Sequence, residues 1–142
     1  MIAHYCKIPS LYLGYDRLTE FLSQISDNQL RLEVVQREYG VRTPLYWATR
    51  KYHHNIIRIM LQSLTQVNRL ILLRMRDWTP LHDAAQCNSA WAVEAIHYSL
   101  TPEQWEELVG MQDEDGDTAA DVAKDEGSGD VLQILCVRYE SR

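Results

Sequence analysis

A chain of 142 residues with a net charge of −6, 46% hydrophobic and 24% charged residues can bury about 70% of its unfolded surface in one domain, and its composition is not that of a disordered protein. The acidic balance excludes nonspecific phosphate neutralisation, and the run Leu70-Ile71-Leu72-Leu73 falls far short of the about 20 apolar residues of a membrane-spanning helix. Met1 to Ser10 lacks a secretory pattern, and Cys6, Cys87 and Cys136 have no metal-ligand spacing, so reduced thiols in a cytoplasmic protein are expected.

The elements repeat along the chain. Leu18, Phe21, Leu22 and Ile25, after Gly14-Tyr15, read as the second helix of an eroded first unit whose first helix has been lost around Pro9. Thr43-Pro44-Leu45-Tyr46-Trp47-Ala48 starts a complete unit, because the threonine oxygen can cap a helix and proline fits its first turn. A second apolar helix follows through Ile56, Ile57, Ile59, Met60, Leu61 and Leu64. The pattern returns at Thr79-Pro80-Leu81-His82-Asp83-Ala84-Ala85, followed by Trp91, Val93, Ala95, Ile96 and Leu100. It returns again, weakened, at Thr118-Ala119-Ala120-Asp121-Val122-Ala123 before Val131, Leu132, Ile134 and Leu135. Leu81, Ala84 and Ala85 form a narrow face of small residues that lets another helix approach closely.

An insert accompanies each unit. Ser26-Asp27-Asn28-Gln29-Leu30 and Thr101-Pro102-Glu103-Gln104-Trp105 each begin 17 residues before their threonine, and Thr65-Gln66-Val67-Asn68 is a shorter middle copy. Capping logic at Thr101 predicts a short third helix between units, with Leu30, Leu72 and Trp105 packed against the stack.

The Thr-Pro-Leu-His head and the Val/Ile/Leu-rich second helix resemble the ankyrin-repeat family over about residues 43 to 137. The resemblance implies an all-α solenoid of helix-turn-helix repeats joined by hairpin loops, in units 1–38, 39–74, 75–112 and 113–142. The helix-helix turns depart from the family's Gly-His, reading Tyr52-His53, Asn88-Ser89 and Gly127-Ser128. Lys124, Asp125, Glu126, Glu140 and Arg142 suit the polar outer face of a C-terminal cap.

Function follows from the resemblance: a protein-interaction module that binds another protein through hairpin tips and the concave face of the first helices, as adaptor, scaffold piece or inhibitor. The corresponding positions are Tyr39, Arg42, Arg50 and Lys51, then Met75, Arg76, Trp78, Gln86 and Cys87, and finally Glu114, Asp115, Asp117, Asp125 and Glu126. Trp78 stands out as a hot-spot residue, unless it folds back onto Leu45 or Tyr46. The charges call for acidic partner residues opposite Arg42, Arg50 and Arg76 and basic ones toward Asp115 and Asp117. Self-association into a homodimer through Leu11, Tyr12, Leu13 and Leu18 is the alternative.

Catalysis and cofactors are not expected. His53-His54 and His4-Tyr5-Cys6 lack zinc spacing, and Asp113-Glu114-Asp115-Gly116-Asp117 lacks the distal Glu of a calcium loop. The resemblance makes His82 a structural histidine tying hairpin to helix, which leaves a thiol- or metal-dependent enzyme built on Cys87 and His82 as a remote third reading.

Overall fold

A computed structural model describes Glu20 and residues 22–36, 44–50 and 54–140. Its helices are α1 (Asn28–Gln36), α2 (Pro44–Arg50), α3 (His54–Gln62), α4 (Gln66–Leu73), α5 (Pro80–Cys87), α6 (Ala90–Ser99), α7 (Pro102–Val109), α8 (Ala119–Glu126) and α9 (Gly129–Glu140). No strand occurs among the described residues, and none of these helices is long and apolar enough to cross a membrane.

Threonines set the helix starts. Thr79, Thr101 and Thr118 each accept the backbone N–H three residues on, while His82, Gln104 and Asp121 reach back to the backbone N–H of their capping threonine. Thr65 accepts from Asn68 at the head of α4. Satisfying otherwise orphaned N–H groups at both ends of a capping box makes these boundaries sharp. The first helices stop where the chain enters the left-handed region, at Asn88 (φ 54) and Gly127 (φ 72). These are the positions where the family's glycine is expected, and asparagine tolerates the conformation best after glycine.

The helices stack in three columns. First helices α2, α5 and α8 pack in succession, as do second helices α3, α6 and α9. Leu45, Ala48, Leu81, Ala84, Ala85, Ala119 and Ala123 are buried on the first helices, and Ile57, Met60, Leu61, Val93, Ile96, Val131 and Leu135 on the second. The inserts α1, α4 and α7 form the third column. Asn68 Nδ2 donates to the Asn28 carbonyl, and Gln66 and Gln104 exchange hydrogen bonds at 2.8 and 2.9 Å.

Two arginines clamp this third column to the second. Arg69 donates to the carbonyls of Leu61, Leu64 and Ser99 at 2.6, 3.2 and 2.9 Å. Counted from the helix caps, Arg31 occupies the same position and donates to Ile25 and, at 3.0 Å, to Ser63. Arg69 thus reaches carbonyls at the ends of α3 and α6, and Arg31 one just past the end of α3 and one ahead of α1; the dipole at a helix C-terminus favours a cation there. Trp105 holds the equivalent position in α7, fully buried and edge-on to His97 with centroids 4.7 Å apart. The helix beyond it differs too. The residue matching Ser63 and Ser99 in α9 is Arg138, which lies inside a helix running on to Glu140.

One expected anchor differs. Leu72 and Trp105 are buried, but Leu30 is 47% exposed, and Leu32 and Val35 take its place in the core. The cap of α1 is Asp27, whose Oδ1 accepts the Leu30 N–H at 2.9 Å. Aligning the inserts from Ser26 therefore shifts the helix by one residue, and about 100° of rotation carries Leu30 to the solvent side.

Candidate functional site

A groove of about 680 Å³ lies between consecutive units. Leu45, Tyr46 and Arg50 come from α2, Leu72 and Leu73 from the end of α4, and Pro80, Asp83 and Gln86 from α5; residues 75–78 and 113–115 form its rims.

The wall between α2 and α5 is organised around Asp83, which is 3% exposed. Trp78 Nε1 donates to Asp83 Oδ1 at 2.6 Å, and Arg50 Nη2 lies 3.5 Å from the same oxygen. Arg50 also donates to Gln86 Oε1 and sits over the Tyr46 ring, 5.2 Å from its centroid. A carboxylate this buried needs such partners. The indole of Trp78 is half-buried and tilted on His82, with centroids 5.1 Å apart, so its anchor lies within its own unit.

His82 joins this unit to the next. Its Nδ1 accepts from Thr79 N at 3.1 Å, and its Nε2 is 2.9 Å from the Asp117 carbonyl. A carbonyl only accepts, so Nε2 carries the proton and both ring nitrogens are occupied. Cys87 donates its thiol to the Asp83 carbonyl at 3.1 Å, and burial pushes that thiol up from its ordinary value. These bonds do not make a thiol-imidazole pair of the kind nucleophilic catalysis requires.

The acidic rim is a tight turn. Asp113 Oδ1 accepts the N–H groups of Asp115 and Asp117, both at 2.9 Å, Asp113 N donates to the Asp117 carbonyl at 2.8 Å, and Gly116 supplies φ 84. Asp117 is pushed above the ordinary carboxylate value by lost hydration and by Asp113, Asp121, Asp125 and Asp115. Asp121 is held below it, chiefly by accepting the Thr118 N–H at 3.0 Å.

Of the residues expected to meet a partner, Arg50, Met75, Arg76, Trp78, Gln86, Glu114 and Asp115 line this one groove. Asp117 and Asp125 are outside its lining, and Cys87 and Glu126 likewise. Tyr39, Arg42 and Lys51 lie outside the described residues, as do Leu11, Tyr12, Leu13 and Leu18. Sequence reasoning missed Asp83, Tyr46, Asp77 and Asp113 as residues of this groove. Asp83 had a readable signal: an acidic residue among the small apolar residues of a helix built to be buried.

Repeated pairs of short antiparallel helices, stacked with a groove along their first helices, define a helical-repeat solenoid. The chain belongs to the ankyrin-repeat family: the family described as ankyrin repeats, in three copies, matches residues 11–101. That match reaches back into the eroded N-terminal unit and ends before α8, yet α8 and α9 pack on α5 and α6 as a further unit. A comparison with curated proteins finds no match. Ankyrin repeats generally mediate protein-protein interaction, and the family is typically non-enzymatic.

Proposed function

We propose that the protein is a noncatalytic interaction module that holds a segment of another protein in the groove between α2 and α5. The observation that carries this reading is the preorganised wall. Trp78, Arg50, Tyr46 and Gln86 are locked by hydrogen bonds and stacking around buried Asp83, so a partner meets aromatic and polar groups whose ordering cost is already met by folding. Met75 adds an exposed, adaptable apolar contact at the rim.

The test compares the intact protein with a Met75→Glu variant. Proteins retained from a source lysate are identified, purified and rebound to both forms. A partner that binds the intact form and loses at least about tenfold in affinity for the variant supports the groove, provided both forms melt at the same temperature. Equal binding to both forms would move the site elsewhere.

A further inference from the structure

We propose that the segment held in this groove is basic, with Lys or Arg side chains directed to the rim formed by residues 113–115. The proposal rests on the groove being the binding site and adds the chemistry of its occupant. Among the described residues, the charged lining comprises Arg50 and Arg76 against Asp77, Asp83, Asp113, Glu114 and Asp115.

The ion pair inside the groove leaves that imbalance intact. Arg50 and Asp83 neutralise each other, which leaves Arg76 facing four carboxylates. Asp113 spends Oδ1 on its own turn. Asp77, Glu114 and Asp115 are exposed and make no ion pair among the described residues. Adjoining Asp117 has its carboxyl pushed up by lost hydration first and then by neighbouring carboxylates, Asp113 and Asp115 of this rim among them. A basic segment relieves that repulsion and is steered toward it, whereas an acidic segment adds to it. On the opposite wall, Trp78 and Tyr46 offer apolar surface to the methylene stems of Lys and Arg.

Selection of displayed random peptides on the immobilised protein tests this. Enriched sequences are rebound to Met75→Glu, to a groove variant (Glu114→Lys with Asp115→Lys), and to a control of equal charge change on exposed α7 positions (Glu103→Lys with Glu106→Lys). The expected result is enrichment in Lys and Arg, with affinity falling about tenfold or more in the groove variant, by less than about twofold in the control, and more steeply with salt in the intact form than in the groove variant. Neutral or acidic sequences that still depend on Met75 would overturn the basic occupant and leave the groove standing. Basic sequences weakened equally by both charge variants would overturn the proposal as bulk attraction. Peptides indifferent to Met75 and to the groove charges would overturn both readings.

Discussion

His82 shows how one side chain can join two units. It closes the cap of its own helix through Thr79 and holds the next turn through the Asp117 carbonyl, and it is fully buried. His82→Leu strands a donor and an acceptor away from water, so denaturant unfolding should show a loss of about 2–4 kcal/mol. His82→Asn keeps an acceptor for Thr79 and should restore part of that loss. Asp117 and Asp121 respond to acid in opposite senses. Asp121, with its native pKa lowered, stabilises the fold above its unfolded value, about 3.9, and that contribution disappears as pH falls through the native value. Asp117, with its pKa raised, opposes folding at neutral pH and is relieved as pH falls through its native value toward the unfolded one. Melting temperature against pH should therefore rise slightly on mild acidification and then fall. Asp117→Asn should abolish the rise, and Asp121→Asn should flatten the fall.

At the scale of the element, the inserts depend on buried anchors and on arginine clamps. Leu32→Ala removes a core side chain and should cost about 2–4 kcal/mol, while Leu30→Glu, on the solvent side, should change stability by less than about 0.5 kcal/mol; the pair checks the register of α1 by chemical denaturation. Arg69→Met keeps the aliphatic stem and removes the hydrogen bonds to Leu61, Leu64 and Ser99. It should lower stability by about 1–3 kcal/mol and speed amide exchange at the ends of α3 and α6. The inserts were legible because Thr101-Pro102-Glu103-Gln104 spells a capping box and Trp105 an anchor. Their register in α1 was not, since Ser26 and Asp27 are both competent caps and only the Asp27-Leu30 bond decides between them. The clamps were also hidden: an arginine four residues after a cap looks like an ordinary surface charge until the carbonyls it reaches are brought together by folding.

For the whole molecule, Thr43, Thr79 and Thr118 made the repeat readable, because a stack needs the same helix start in each unit. The groove was readable only in part. Residues 75–78 and 113–115 fall at hairpin positions that the repeat pattern marks, but the Asp83 network joins side chains 33 residues apart, and spacing alone does not show which charges are already spent. In a stack whose units touch only their neighbours, each unit shields the one before it. A chain ending at Gln112 uncovers the α5 and α6 surfaces that α8 and α9 cover, and it also takes the Asp117 carbonyl from His82. It should bind an apolar dye and self-associate at concentrations where the intact chain gives a single scattering mass.

Trp105 restricts the order in which the units can be joined. Repeat arrays lengthen by copying a unit, and the copy must fit both neighbours. A duplicate of residues 39–74 inserted after itself would bring its own Arg69 to a following helix that ends in open carbonyls, as α6 does at Ser99. A duplicate of residues 75–112 would instead set Trp105 beside such an end, with no guanidinium for the carbonyls and no partner for an indole N–H that has none among the described residues. The first tandem should remain soluble and melt at or above the parent, and the second below it. The array therefore has a direction of growth, open in its middle and keyed shut by a single aromatic ring before its last described unit.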